Sequence, residues 1–155
     1  MQLPLAIMAL LALLIGPWVG PTDLPASGNA TYYSDGLMES VAEYRLGIGD
    51  VVSCKECVGY VAMMRKGDIG RKIWLNYQGR ISGPWLVVDC ADPRDFPSVL
   101  KREIVVEVSY ALAQEWEMAG PVSVTVLERP PPSLQELKRA IKSVWCLSLS
   151  NLRIC

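Results

Sequence analysis

Six short runs rich in β-branched and aromatic residues lie within about 100 residues of this 155-residue chain. They are Asn29 to Ser34, Val58 to Met64, Arg71 to Tyr77, Ile81 to Val88, Ile104 to Val108 and Val122 to Leu127, each bounded by Gly, Pro or Asp. Such runs read as strands. Six strands this short leave sheet edges that a small domain must close, and a small barrel is the architecture expected. Between the last two strands, Ser109 to Met118 carries Tyr110, Leu112, Ala113 and Trp116 at helical spacing and stops at Gly120-Pro121, so one helix is expected before the final strand, with Trp116 in the core. The length fits one small domain plus whatever its ends contribute.

The ends differ from the middle. Leu3 to Gly20 has no charged side chain. A run of about 18 apolar residues is near the lower limit for crossing a bilayer and longer than a secretory core needs, so residues 1–28 read as a signal peptide, a retained membrane anchor or a buried helix. The nearest small-residue cleavage site is Ala26-Ser27-Gly28. Either of the first two readings makes the chain secreted or attached at the cell surface or envelope, with membrane contact through the N-terminal segment. Residues 29–128 form the barrel domain, Pro130-Pro131-Pro132 a stiff hinge over 129–132, and 133–155 a tail. Ser133-Leu134-Gln135-Glu136 reads as a capping box. Leu134, Leu137, Ile141, Val144 and Trp145 then recur at helical spacing, with Lys138, Arg139 and Lys142 on the other side. This basic amphipathic helix either folds back on the domain or docks on a partner or an anionic membrane surface.

Charge and composition exclude several functions. Fifteen Lys and Arg against sixteen Asp and Glu give a net charge of −1, which divides into −1 from Asp23, −4 over residues 29–128 and +4 over residues 129–155. The domain lacks the basic field a nucleic-acid backbone requires, so no nucleic-acid partner is expected. The chain has no histidine, which removes Ser-His and Cys-His nucleophile pairs and most zinc sites. Lys66-Gly67-Asp68-Ile69-Gly70 lacks the ending of a phosphate loop. Asn29-Ala30-Thr31 matches the glycosylation acceptor pattern, which matters only in a eukaryotic source.

Five cysteines stand at positions 54, 57, 90, 146 and 155. Cys54-x-x-Cys57 lacks the second half of a zinc site, and a redox dithiol would open a helix, whereas a strand is expected from Val58. The structural reading is a disulfide between Cys90 and either Cys57 or Cys54, tying two strands together. No metal or cofactor is expected.

With no histidine, any catalysis rests on carboxylates, Lys, Tyr or thiols, and the carboxylates are the most informative. Asp89 ends the strand Trp85-Leu86-Val87-Val88-Asp89-Cys90, and Asp35 follows Ala30-Thr31-Tyr32-Tyr33-Ser34. Either acid alone is commonly a turn residue. Tyr32, Tyr33 and Trp85 are flat side chains that either present a ring face to a ligand or fill a barrel interior. Alternation along a strand buries one of Tyr32 and Tyr33 and exposes the other, with Tyr33 the binding candidate.

The order of motifs is informative. Gly28-Asn29-Ala30-Thr31-Tyr32-Tyr33, then Cys57-Val58-Gly59, then Gly83-Pro84-Trp85-Leu86-Val87-Val88-Asp89-Cys90, then Val105 to Ala113 leading to Gly120-Pro121-Val122-Ser123-Val124, resembles the double-psi β-barrel superfamily. It is most similar there to the rare lipoprotein A group and its expansin, barwin and endoglucanase-V relatives. The resemblance covers about residues 28–128 and implies a mainly β, six-stranded double-psi barrel. It further implies binding to or cleavage of peptidoglycan or β-glucan, with Asp89 in the polysaccharide groove and Asp35 where endoglucanase-like members carry a second acid. Lytic transglycosylase chemistry would need Asp89 alone, inverting hydrolysis Asp89 as acid and Asp35 as base, and an expansin-like or barwin-like module would bind without cutting. The groove histidine of the rare lipoprotein A group has no counterpart, and Asp89-Cys90-Ala91-Asp92-Pro93 stands in place of the usual Asp-Arg-Gly-Pro turn.

Overall fold

The computed structural model describes the backbone of residues 18–149 and the side chains of residues 18–142. The apolar stretch before Trp18, the side chains of Val144 and Trp145, and Cys155 lie outside the described residues. The six expected strands form: β1 (Ala26–Tyr32), β2 (Gly59–Met63), β3 (Lys72–Tyr77), β4 (Arg80–Cys90), β5 (Ile104–Val108) and β6 (Val122–Leu127). They close into a barrel in the order β1-β5-β2-β4-β3-β6. Two pairs are parallel, β1 with β5 and β2 with β4, and each is interrupted by one register shift. Closure leaves no free edge, which answers the problem posed by so many short strands.

Period-two alternation fills the interior. Val61 and Met63, Ile73 and Leu75, Trp85 and Val87, Val106 and Val108, and Val124 and Val126 meet in one buried cluster. Trp85 is part of it and is 8% exposed. Gly59 permits this, because a Cβ there would stand 2.7 Å from the indole ring. Trp116 is also buried and stacks on Tyr77 with ring centroids 4.4 Å apart.

Four α-helices occur among the described residues, where one barrel helix and one tail helix were expected. The helix before the last strand forms as α3 (Tyr110–Glu115), shorter than its apolar pattern, and the tail forms α4 (Leu134–Leu149). The additional two are α1 (Leu37–Gly47) and α2 (Phe96–Lys101). α1 buries only Met38 and Ala42 completely, which pack on Ala62, Leu86 and Val88 outside the barrel. Two buried positions four apart make too narrow a stripe to announce a helix in sequence. α2 is a turn and a half with Phe96 and Val99 turned onto Met64, Ala91 and Ile104.

Trp18 to Pro25 precede β1 and form a strap against the barrel. The Trp18 indole N–H donates to the Ala91 carbonyl at 2.7 Å, and the Lys66 N–H donates to the Trp18 carbonyl at 2.9 Å. Asp68 is fully buried; it accepts from the Thr22 N–H at 2.8 Å, the Thr22 hydroxyl at 2.6 Å and Arg71 at 2.7 Å. A Cβ at Gly67 would lie 2.5 Å from the backbone of Pro21, so only glycine lets the strap come this close. β1 begins at Ala26, so a domain boundary after Gly28 falls inside a strand. Cleavage at Ala26-Ser27-Gly28 would remove the strap and the start of β1.

Candidate functional site

The bulge between β2 and β4 decides where Asp89 points. Asp89 has the same odd parity as Trp85 and Val87, whose side chains fill the barrel, and a regular strand would send it inside. Val61 pairs with Val87, but Ala62 pairs with Asp89, so Val88 is the extra residue and Asp89 shares the outward face of Ala62. Re-aiming a side chain in this way is a common use of bulges beside functional sites.

On its other side Ala62 pairs with Glu107 of β5, and Glu107 pairs with Thr31 of β1. One row across four strands thus reads Thr31, Glu107, Ala62, Asp89. Two interstrand spacings put the Glu107 and Asp89 backbones about 10 Å apart, with Ala62, buried under α1, as the residue between them in the row. Tyr33, two residues beyond Thr31, donates its hydroxyl proton to Asp89 Oδ2 at 2.8 Å. Arg45, from the last turn of α1, donates to Asp89 Oδ1 at 3.2 Å and to Asp50 Oδ2 at 2.9 Å. The Thr31 hydroxyl donates to Glu107 Oε1 at 3.1 Å.

Of these groups Tyr33, Asp89 and Glu107 line an open cleft of about 370 Å³, with Cys90, Asp92 and Arg102 also in its wall. Burial pushes the half-buried Glu107 carboxyl above the usual carboxylate range; the Thr31 hydrogen bond and the positive charge of Arg102 oppose this, and the negative charge of Asp89 adds to it. Burial, then the charge of Asp89 and the hydrogen bond to it, pushes the Tyr33 phenol far above its ordinary value. Burial followed by Asp89 also raises the Cys90 thiol, against Arg45 and Lys66. Asp92 pairs with Arg94 on the surface and is held down at about 2 by hydrogen bonds from the Arg94 side chain and backbone. The cleft therefore combines a carboxyl that retains its proton more readily than usual with a carboxylate held by a guanidinium and a phenol.

Of the residues singled out from sequence, Asp89 and Tyr33 share this cleft. Asp35 does not; it is exposed in the turn before α1 and lies outside the cleft wall. Tyr32 faces away, 39% exposed and 6.2 Å from the Tyr110 ring. Trp85 is enclosed in the barrel, its indole N–H on Ser82, and presents no face for stacking. The disulfide is also different from that expected: Cys54 bonds to Cys57, and Cys90 is a free thiol. Because β2 and β4 are parallel, Cys57 lies near Pro84 at the start of the pair, through the Val58 N–H bond to the Pro84 carbonyl, while Cys90 is at its far end opposite Met63. Five residues of strand separate these ends by about 16 Å, well over the roughly 7 Å Cα limit for a disulfide.

Sequence reasoning overlooked Glu107 and Arg45. Glu107 had a signal, an acid inside the otherwise apolar run Ile104-Val105-Val106-Glu107-Val108. Arg45 had none, since it reaches the site from a helix whose pattern is weak. Of the larger hollows, the one of about 490 Å³ beside Ser27 and Asn76 contains a single carboxylate, Glu103, and the one of about 550 Å³ under the strap contains Asp23 and Glu128, the latter paired with Arg71. Among the described residues no three His, Cys, Asp or Glu side chains converge to hold a metal ion. Comparison with family models, with curated protein sequences and with solved structures finds no match to this chain.

Proposed function

We propose that this chain is a double-psi-type barrel that cleaves a cell-wall or envelope polysaccharide, with Glu107 as proton donor and Asp89, the acceptor of the Tyr33 and Arg45 hydrogen bonds, as its partner. The observation that carries the reading is the placement of Glu107 and Asp89 on either side of Ala62 in one open cleft. Two bulged parallel pairs within a closed six-stranded barrel support the double-psi assignment. The motif order from Gly28 to Glu128 supports the substrate class. The acid role expected for Asp89 passes to Glu107, because a carboxylate accepting bonds from Arg45 and Tyr33 is an acceptor.

In this scheme Glu107 delivers its proton to the glycosidic oxygen as the bond to the anomeric carbon breaks. Asp89 faces the positive charge that develops at that carbon. A hydroxyl of the same sugar then closes on the anomeric carbon and returns its proton to Glu107, which leaves an anhydro-sugar and consumes no water. The roughly 10 Å between the two backbones is also compatible with hydrolysis through an intervening water, for which paired carboxyls stand roughly 6.5–9.5 Å apart. The products distinguish these routes.

The test is incubation with purified peptidoglycan and with β-glucans, followed by mass analysis of soluble fragments. Anhydro-sugars that disappear in Glu107→Gln and fall in Asp89→Asn are the expected result. Retention on the insoluble polymer without soluble product would replace the enzyme with a wall-binding module. Failure to bind either polymer would remove the polysaccharide reading.

A further inference from the structure

The described side chains at the start of the tail helix α4 form an exposed amphipathic surface. Every side chain described from Ser133 to Lys142 is exposed, with Leu134, Leu137 and Ile141 at 69, 44 and 59%. The helix starts on its own capping box, in which the Ser133 N–H donates to Glu136 Oε2 at 2.7 Å and the Glu136 N–H donates to Ser133 Oγ at 3.2 Å. At 100° per residue, Lys138 and Lys142 lie about 40° and 80° round the axis from Leu134, beside the apolar stripe. Long basic side chains in that position can lay their stems along an apolar layer while their charges reach anionic headgroups. Residues 129–155 carry net charge +4, so the complementary surface is anionic; the barrel, at −4 over residues 29–128, shares that sign, and its capture of the helix is the competing outcome of the test below.

The barrel places the root of this helix beside the end of the strap that enters β1. Arg71 joins the two, donating to the Thr22 carbonyl at 2.8 Å and pairing with Glu128 at 3.7 Å. Leu24 and Pro25 share a hollow with Leu127 and Pro130 to Pro132 at the root of the hinge. Thr22 to Pro25 and the hinge therefore lie side by side.

We propose that α4 is a membrane-surface helix: Leu134, Leu137 and Ile141 enter the headgroup boundary of an anionic bilayer, and Lys138 and Lys142 engage its headgroups, while Arg139 faces the opposite side. It attaches the barrel to that surface independently of what the cleft cleaves.

The experiment is hydrogen exchange of the full-length chain, read by mass spectrometry over residues 134–142, in buffer, with phosphatidylcholine vesicles, and with vesicles containing equal phosphatidylcholine and phosphatidylglycerol. The expected result is fast exchange in buffer and on neutral vesicles, protection on anionic vesicles, and loss of that protection at high salt. Lys138→Gln and Lys142→Gln together should weaken surface binding about 25-fold, at about fivefold per charge. They should leave the melting temperature of the barrel unchanged. Vesicle binding through the N-terminal stretch without protection at 134–142 would overturn the proposal, as would equal protection on both vesicle types or protection retained by the double variant. Protection already present in buffer would show that protein covers this face and would overturn it too.

Discussion

Replacing Asp68 with alanine tests whether Trp18 to Pro25 belong to the folded domain. Asp68 is fully buried and accepts three hydrogen bonds, two from Thr22 and one from Arg71. Bonds to a charged acceptor contribute about 1.5–3 kcal/mol each, but these three share one carboxylate and are not additive. Arg71 is 23% exposed and keeps Glu128, so part of its bonding survives the substitution. Removing one partner of a buried pair costs about 3–5 kcal/mol, and we take that as the expected loss. For a chain of this size it lowers the melting temperature by about 8–16 °C. Asp68→Asn should cost less, because its amide still offers an acceptor and can donate to the Thr22 hydroxyl. Glu56→Ala is the control: Glu56 is an exposed ion-pair partner of Lys72, and its loss should stay within about 0.5 kcal/mol. Calorimetry and hydrogen exchange at Thr22 read the outcome. An Asp68→Ala protein melting within 2 °C of wild type, with Thr22 exchange unchanged, would refute the latch. Removal of residues 1–28 should destabilise more than Asp68→Ala, because it also takes the Trp18 bond to Ala91 and the first turns of β1 pairing.

Four other outcomes follow from the site. Folding raises the Glu107 carboxyl, so its contribution to stability is full below about pH 4.3 and is lost as pH rises through the raised value. Glu107→Gln stays neutral and should gain stability on wild type between about pH 4 and 7, measured by urea unfolding across that range. Tyr33→Phe leaves Asp89 with Arg45 alone and should cost about 1–2 kcal/mol, with lower turnover on whichever polymer is cleaved. Ala62→Val adds methyl groups at a fully buried position between the two acids and should cost about 1–3 kcal/mol, with product yield falling further than Tm alone accounts for. A non-reducing peptide map should link Cys54 to Cys57, while iodoacetamide labels Cys90 slowly at pH 7 and faster in Asp89→Asn.

Much of the barrel was legible because strand signals are local. Each strand carries its own period-two pattern and its own punctuation, as in Val105-Val106-Glu107-Val108 or Lys72 to Tyr77, and the helix before β6 ends on its own Gly120-Pro121. Residues 37–47 carried no comparable stripe, since α1 needs only Met38 and Ala42 to grip the barrel wall. The site was harder to read for the same reason. Asp35 and Asp89 were chosen as acids following strands, but their partnership depended on which strands are neighbours. The order β1-β5-β2-β4 sets Glu107 beside Ala62 and leaves Asp35 exposed in the turn.

Composition and periodicity alone determined a histidine-free, strand-rich domain with an uncharged leading stretch and a basic amphipathic tail, because these depend on residue type and short spacing. Tertiary structure decided which carboxyl faces which. One extra residue, Val88, turns Asp89 from the barrel interior to the cleft, and the parallel run of β2 and β4 keeps Cys90 a strand's length from Cys57. Register and strand direction are set by contacts between residues far apart in the chain, and a shift of one position reverses the face of every side chain beyond it.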